Sequence, residues 1–412
     1  MPVVGIDEGS ALESQAEREE FHMGERIVIA VDSFKGSATS LQAADYIEEG
    51  LLRVLPELDV HKFAIADGGE GTVTALVHAL GGRLIERQVT GPEGQPIPAV
   101  FALLDRHTAV IEMAEASGLT KITHSTGNPF TATTYGTGEL ILAALDEQVS
   151  KIYVGLGGSA TNDGGVGMAQ ALGVSFKDDD DCEVPFGAEG VEQIRTIDLT
   201  QLDPRLASTS IIGLTDVETL LCGPDGAAYT FALQKGAKKS ELERLDQGLK
   251  RLRETIKASC GIEVKELKGG GAAGGLGAGL VAFCGAQLTP GIETILGMMN
   301  IEEAIRTADY VITGEGKLDQ QSLAGKAPTG IVRAAKKWEK PVIAIVGSVG
   351  GELQDIYPLG IDLVIDAIRT PQTLQQAMAN VQQNLSDAGE SAGRVLALIR
   401  KLTSASGEGP ET

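Results

Sequence analysis

The sequence predicts an α/β protein in which a discontinuous, doubly wound domain carries an inserted α+β domain. Apolar runs of strand length alternate with helical stretches at both ends of the chain, a pattern typical of a parallel sheet covered by helices on both faces. Short strands joined by turns occupy the middle of the chain. A length of 412 residues suits two domains of ordinary size.

The first repeat of this pattern begins at residues 26–32, RIVIAVD, which predict a buried strand. A polar loop follows, and residues 40–54 have helical periodicity with Ser40 as the expected N-cap. Residues 60–66 predict a second strand, and the loop DGGEGT then leads into a helix over about 72–80. Strand, loop and helix therefore repeat at the start of the chain.

The same order returns near the C-terminus. A strand at 308–313 precedes a loop with several glycines and lysines and a helix that runs to about Lys337. Further strands are expected at 340–346 and 362–366. Parallel sheets of this kind bind ligands at the carboxyl ends of their strands, which is where these polar loops would lie.

The middle of the chain, residues 80–286, is expected to form the inserted domain, so that residues 23–79 and 287–402 form the doubly wound domain. A strand at 151–154 and a helix from about 166 to 172 flank a glycine-rich loop. Before them, three short strands joined by turns predict an antiparallel meander: 83–89, 97–104 and 108–113.

Composition excludes several classes of function. The chain has 57 acidic and 34 basic residues and a formal net charge of −23, which disfavours a broad encounter with nucleic acid or an anionic membrane. Four widely spaced cysteines argue against a zinc site or a disulfide framework and favour reduced thiols in the cytoplasm. Residues 1–22 lack the pattern of a signal peptide. We expect a disordered leader at 1–22 and a flexible tail at 403–412.

The stretch VGLGGSATNDGGVG, residues 154–167, is the most unusual in the sequence. It connects a predicted strand to a predicted helix, and free N–H groups at a helix start, with hydroxyls of Ser159 and Thr161, suit phosphate or carboxylate oxygens. The stretch therefore predicts a backbone site for an anion.

Four other loops have both a functional and a structural interpretation. The loop at 32–35 could bind a metal and a phosphate or form an exposed turn, and the loop at 66–72 places two carboxylates among glycines or makes a tight turn. The small residues at 267–279 suit either a nucleotide or close helix packing. The loop at 313–321 repeats the acidic pattern, with two lysines near it.

Standard motifs are missing from the sequence. No stretch has the Gly-x4-Gly-Lys-Ser/Thr pattern of a P-loop, no Asp-Phe-Gly is present, and a loose dinucleotide pattern at 277–282 has no clear strand before it. The five histidines show no metal-binding spacing. The remaining carboxylates, lysines and glycine loops are the groups that phosphoryl transfer needs, and they indicate an ATP-dependent kinase that uses Mg²⁺.

Taken together, these loops resemble the glycerate kinase family of the bacterial type that phosphorylates the 2-hydroxyl of glycerate. The resemblance extends from about Arg26 to Leu402. The matching segments are IVIAVDSFKGSATS, ADGGEGT, VGLGGSATNDGGVGM, GPDGAAYTFALQKGA, GGGAAGGLGAGL and ADYVITGEGKLDQQSLAGKAP.

The resemblance implies that ATP and D-glycerate give 2-phosphoglycerate and ADP with Mg²⁺. It also implies a flavodoxin-like, Rossmann-like domain and an inserted domain, with the polar loops facing an interdomain cleft. We further expect a homodimer. A kinase of a related small hydroxy acid, a glycerate 3-kinase and a non-catalytic nucleotide-binding sensor are the alternatives.

The resemblance implies the following site residues. The expected catalytic residues are Lys35, Asp67 and Asp163, and the expected metal ligands are Asp216 and Glu315. The expected substrate-binding residues are Asp32, Ser33, Glu70, Ser159, Asn162 and Asp319. The expected nucleotide-binding residues are Gly157, Gly158, Gly270, Gly271, Gly314 and Lys317. Residues 218–220, Glu-Thr-Leu, depart from the short polar pair and proline that the family usually has after the aspartate at 216.

Overall fold

The computed structural model describes residues 25–65, 69, 71–123, 127–318, 327–350, 354 and 356–407. The chain forms two compact units. The first takes the described parts of 1–63, 302–319 and 331–412, and the second takes those of 64–301 and 320–330. The α/β class is confirmed, since parallel strands and helices form both units.

The strands, in chain order, are β1 Arg26–Val31, β2 Asp59–Ala64, β3 Arg83–Thr90, β4 Pro96–Leu103, β5 Thr108–Glu112, β6 Lys151–Gly155, β7 Ser175–Lys177, β8 Thr196–Asp198, β9 Ser210–Leu214, β10 Gln287–Thr289, β11 Tyr310–Glu315, β12 Val342–Val346 and β13 Leu363–Asp366.

The helices are α1 Ser40–Val54, α2 Thr72–Leu80, α3 Met113–Ser117, α4 Tyr135–Asp146, α5 Val166–Ala171, α6 Gly187–Val191, α7 Ala227–Phe231, α8 Leu242–Cys260, α9 Ala272–Cys284, α10 Gly291–Met298, α11 Ile301–Thr307, α12 Ala327–Lys337, α13 Leu374–Ala379 and α14 Val381–Gly407.

The first unit is built on a five-stranded sheet in the order β13-β12-β11-β1-β2. The pairs β1–β11, β11–β12 and β12–β13 are parallel. Buried apolar residues of β1, β11 and β12 pack against α1 and α14 in one core. The β-branched residues of RIVIAV favour a strand that is buried on both faces, as the sequence predicts.

Helix α1 begins at the predicted position, but its cap differs from the expected one. Thr39, rather than Ser40, is the N-cap, because the Thr39 hydroxyl accepts from Gln42 N and the Gln42 side chain accepts from Thr39 N. Ser40 is already helical, and its buried hydroxyl donates to the Val31 carbonyl oxygen at the end of β1. The expected N-cap was therefore wrong by one residue.

The second unit contains a six-stranded mixed sheet in the order β10-β9-β6-β5-β4-β3. The meander β3-β4-β5 is antiparallel, as the sequence predicts. The strands β5, β6, β9 and β10 are parallel neighbours, so this unit also has an α/β half that the pattern of short strands did not reveal. Strands β7 and β8 form a separate antiparallel pair.

Both ends of the second unit differ from the expected insertion at 80–286. Helix α2 packs on β3, β4 and β5, so it belongs to the second unit. Strand β10 extends the second sheet by pairing with β9, and the unit continues to residue 301. Sheet membership, which a helical or apolar pattern does not encode, sets these boundaries.

The leader expected at 1–22 lies outside the described residues. Helix α14 continues to Gly407, so the first residues of the expected flexible tail are helical. Among the helices that the structure describes, none combines the length and the apolar character that a membrane crossing requires.

Candidate active site

The carboxyl edge of the first sheet places two predicted carboxylates on neighbouring strands. Val31 pairs with Gly314 in the parallel register of β1 and β11, and Asp32 N donates to Gly314 O at 2.8 Å. Asp32 and Glu315 are the next residues on the two strands. Glu315 is 8% exposed, while Asp32 is half-buried and its Oδ1 accepts from Ser33 N at 2.6 Å. Asp32, Ser33 and Glu315 therefore lie at one sheet edge.

A tight turn after β1 presents Lys35 to solvent. The backbones of Phe34 and Ala38 pair through hydrogen bonds of 2.9 and 3.0 Å, and Gly36 between them has a φ of +76°. Lys35 lies at the tip of this turn and is exposed. The loop at 32–35 therefore leads into an exposed turn, one of its two interpretations, and its binding of phosphate stays a prediction.

The loops after β11 and β12 lie beside each other. Leu318 N donates to Ser348 O at 2.9 Å, and the exposed Lys317 precedes Leu318. A Cβ at Gly314 would lie 1.9 Å from Ile345 O of β12. Strand packing alone therefore requires glycine at position 314, and its nucleotide-binding role stays a prediction.

In the second unit, the stretch from 154 to 167 connects β6 to α5 and buries the carboxylate of Asp163 completely. Asp163 Oδ2 accepts from Thr134 N and Thr134 Oγ1, both at 2.8 Å, and from Gly167 N at 3.3 Å. Its Oδ1 accepts from Gly165 N at 3.1 Å. Burial raises the pKa of Asp163, and these hydrogen bonds oppose that shift.

The environment of Asp163 is that of an anchor between two segments. Its four donors come from the residue before α4 and from the start of α5. A general base must instead reach a proton of the substrate. The hydrogen bonds therefore support a structural function of Asp163, while its catalytic role stays a prediction.

Lys235 is the main polar residue of this region to which the sequence assigned no role. It is 2% exposed, and its Nζ donates to Ser159 Oγ and to Thr161 O, both at 2.7 Å. Burial lowers the pKa of Lys235 to about 7, and the charge of Asp163 opposes this shift. A buried cation thus meets the loop that the sequence predicts to hold an anion.

Asn162 lies in the same loop, with its side chain 1% exposed. Among the described residues, neither its Nδ2 nor its Oδ1 has a hydrogen-bond partner. Buried polar groups are nearly always paired, so an amide with two unsatisfied atoms requires an explanation. This property is consistent with the expected substrate-binding role of Asn162.

The glycine segment before and within α9 packs against this loop. Gly164 N donates to Gly274 O at 3.0 Å, and Thr161 Oγ1 donates to Ala273 O at 3.3 Å. A Cβ at Gly274 would lie 2.0 Å from Thr161 O, and Gly274 has a φ of +68°. Close backbone packing, one of the two interpretations of 267–279, is therefore observed.

The four glycines expected to bind nucleotide in the second unit divide into two groups. Gly270 N donates to Leu267 O, and Gly271 N donates to Thr219 O, both at 2.9 Å, so their N–H groups are used within the protein. By contrast, Gly157 is half-buried and Gly158 is exposed.

Asp216, an expected metal ligand, caps a helix. Its Oδ1 and Oδ2 lie 3.2 and 3.3 Å from Ile292 N, in the first turn of α10. A carboxylate there is stabilised by the free N–H groups and by the helix dipole. Across the described ranges, no group of three or more His, Cys, Asp and Glu side chains could hold a metal ion.

Glu112, at the carboxyl end of β5, is a second residue that the sequence did not single out. It is buried, and its Oε1 and Oε2 accept from Val73 N at 2.6 Å and from Gly71 N at 3.1 Å. Glu112 therefore caps α2 and fixes the end of the acidic loop at 66–72. Asp67 and Glu70 of that loop, and Asp319 of the loop after β11, lie outside the described residues.

Comparison with known proteins decides the family. The model of the glycerate kinase family matches residues 27–397, nearly the whole chain. This chain belongs to the glycerate kinase family. It is therefore a phosphotransferase, as the sequence predicts, and the resemblance of its six loop segments to this family is confirmed.

Individual members of the glycerate kinase family match the chain over almost their full length. A glycerate kinase of Haemophilus influenzae is 44% identical over 90% of this chain and 99% of its own. The glycerate 2-kinase of Escherichia coli is 41% identical over 90% of this chain and 98% of its own. The crystal structure of a glycerate kinase 2 from Salmonella typhimurium LT2 has a TM-score of 0.80 and 42% identity, and it covers 92% of this chain and 100% of that one.

Lys235 and Glu112 differ in how far the sequence could have revealed them. Lys235 lies in the segment GPDGAAYTFALQKGA, which resembles the glycerate kinase family. Its position in this motif could have marked it as a candidate site residue. Glu112 ends an apolar strand and has no motif around it, so only the structure shows that it caps α2.

Proposed function

We propose that this member of the glycerate kinase family transfers the γ-phosphoryl group of ATP to the 2-hydroxyl of D-glycerate, giving 2-phosphoglycerate and ADP. The observation that carries this proposal is the match to the Escherichia coli relative named glycerate 2-kinase, at 41% identity over 98% of that protein. The strand-end loops supply the lysines and carboxylates that phosphoryl transfer requires.

The residues at the edge of the first sheet fit a magnesium ion. Mg²⁺ prefers oxygen ligands and is usually held by one or two carboxylates together with substrate phosphates. Asp32 and Glu315 directly follow Val31 and Gly314, which are paired between β1 and β11. We propose that these two carboxylates hold the ion. We leave Asp216 out of this proposal, because its Oδ1 and Oδ2 lie 3.2 and 3.3 Å from Ile292 N in the first turn of α10. When bound, Mg²⁺ would neutralise charge on the phosphates.

The remaining roles follow from the environment of each side chain. Lys35 is exposed at the tip of a turn, where its ammonium could contact the transferred phosphoryl group. Ser33 and Lys317 lie in loops at the same sheet edge, and we propose that they contact substrate and nucleotide. We propose Asp67 to orient the 2-hydroxyl, since the oxygens of Asp163 already accept from four protein donors.

The proposal is tested by measuring ADP release with D-glycerate, L-glycerate, glycolate and tartronate, each with and without Mg²⁺. We expect turnover with D-glycerate that depends on Mg²⁺ and exceeds turnover with the other acids. Enolase added without phosphoglycerate mutase should convert the product to phosphoenolpyruvate directly, since enolase acts on 2-phosphoglycerate. Faster turnover of another acid would contradict the proposed substrate, and a product that enolase leaves unchanged would contradict the proposed position.

A further inference from the structure

Lys235 is a buried lysine that has no paired carboxylate among the described residues. Its Nζ donates to Ser159 Oγ and Thr161 O at 2.7 Å, and no carboxylate of the described residues lies within 4.0 Å of it, Asp163 acting on it only at longer range. An ammonium has three donors, so one N–H remains beyond these two bonds. Burying an unpaired charge is costly, and such groups usually serve a function.

The side-chain amide of Asn162 lies in the loop that Lys235 contacts. The carbonyl that accepts from Lys235 belongs to Thr161, the residue immediately before Asn162. Among the described residues, both polar atoms of the Asn162 side chain lack partners, although the side chain is 1% exposed. Lys235 Nζ therefore contacts this loop at the residue next to an amide that lacks partners among the described residues.

The segment that directly precedes Ser159 reaches the surface of the protein. Gly157 is half-buried and Gly158 is exposed, and they directly precede Ser159, the hydroxyl partner of Lys235. Glycine leaves no side chain over the loop at either position. The carboxylate of Asp163 forms no ion pair with Lys235, and its oxygens accept from Thr134 N and Gly165 N.

We infer that Lys235 and Asn162 together bind the carboxylate of the small hydroxy acid that this enzyme phosphorylates. The inference rests on the proposed function for the identity of the substrate. A carboxylate supplies the acceptors that an ammonium N–H and an amide N–H need, and charge-assisted hydrogen bonds of this type are the strong ones. Lys235 thus determines affinity for the acid, while the nucleotide is bound by other groups.

The test compares Lys235→Met with Lys239→Met in the full chain. Lys239 is exposed and has no ion pair within the described part of the protein, so the second variant controls for the substitution itself. Loss of a charged hydrogen bond should raise the KM for D-glycerate by about 10- to 150-fold in Lys235→Met. The KM for ATP should change less than about threefold, and Lys239→Met should match the wild type. A folded Lys235→Met protein with an unchanged KM for glycerate, or with a raised KM for ATP alone, would overturn the inference.

Asn162→Asp is a second variant that does not depend on removing the lysine. A carboxylate at this position would offer the buried cation a counter-ion and repel the acid. We expect an unchanged or higher Tm together with a loss of glycerate affinity of at least tenfold. Wild-type affinity in a folded Asn162→Asp protein would refute the role of the amide.

Direct binding separates this inference from the proposed function. Isothermal titration calorimetry with D-glycerate and no ATP should show binding to the wild type that is lost in Lys235→Met. If the wild type binds D-glycerate through Lys235 but does not phosphorylate it, the proposed reaction fails and the binding site stands. If the wild type phosphorylates glycerate and Lys235→Met binds it equally well, the reaction stands and the site fails.

Discussion

Replacement of Gly274 by alanine tests the packing of the glycine segment on the loop that holds Lys235. The added Cβ would lie 2.0 Å from Thr161 O and 2.7 Å from Asn162 Cα, and the residue has a φ of +68°. Alanine in this left-handed conformation costs roughly 1–2 kcal/mol. Displacing the backbone that it meets adds about 1–3 kcal/mol. We therefore expect Gly274→Ala to lower the free energy of unfolding by about 2–5 kcal/mol.

Gly261→Ala is the matched control, because Gly261 has a φ of +71° and a Cβ there would meet nothing within 4 Å. It should cost only the conformational part, about 1–2 kcal/mol. Urea unfolding of both variants measures the difference, and steady-state kinetics of Gly274→Ala should show a raised KM for D-glycerate, because the loop at 161–162 moves. Equal losses of stability in the two variants would refute the close approach of the backbones at Gly274 and Thr161.

Three further predictions concern charged residues. Asp163→Ala should lower the free energy of unfolding by about 3–5 kcal/mol, since it leaves buried donors unpaired. The control Asp180→Ala, at an exposed residue, should change the free energy of unfolding by less than about 0.5 kcal/mol. Similar melting temperatures of the two variants in thermal unfolding would contradict the anchoring role of Asp163. Lys35→Ala should lower kcat by at least about tenfold with an unchanged Tm, and wild-type kcat would remove Lys35 from the site. The affinity for D-glycerate should fall about tenfold between pH 6 and pH 8, because burial lowers the pKa of Lys235 to about 7 and only its charged form attracts a carboxylate. Calorimetry of Lys235→Met should show no such pH dependence. An equal pH dependence in that variant would contradict the binding of the carboxylate by Lys235.

Strands β1 and β12 of the first sheet could be predicted from the sequence, because burial on both faces leaves the continuous apolar runs RIVIAV and VIAIV. Helix α1 was also predictable in both bounds from its periodicity. Its cap was not, since Thr39 and Ser40 are both acceptable N-cap residues and only the geometry shows which hydroxyl meets Gln42 N.

The candidate site was predictable in its loops and less so in its residues. The sequence indicated that the stretch at 154–167 would surround an anion, but it could not show that the oxygens of Asp163 meet donors near residue 134. Asp216 was expected to bind a metal, and the helix that it caps begins 75 residues further along the chain, at Gly291. Contacts of this separation leave no local pattern.

The burial of Lys235 could not be predicted from the sequence either. In LQKGA, a lysine before a glycine is the usual solvent-exposed end of a helix. Its burial results from Ser159 and Thr161, more than 70 residues before it in the chain. The partners of a buried charge therefore had to come from the tertiary structure.

The reaction and its position are tested most directly by a ³¹P NMR spectrum of the product formed from ATP, Mg²⁺ and D-glycerate, with proton coupling to assign the phosphorylated carbon. The proposed reaction places the phosphate on the carbon that carries one hydrogen, C2, and forms ADP with it. A phosphate coupled to the two hydrogens of C3, or no phosphorylated glycerate at all, would contradict it.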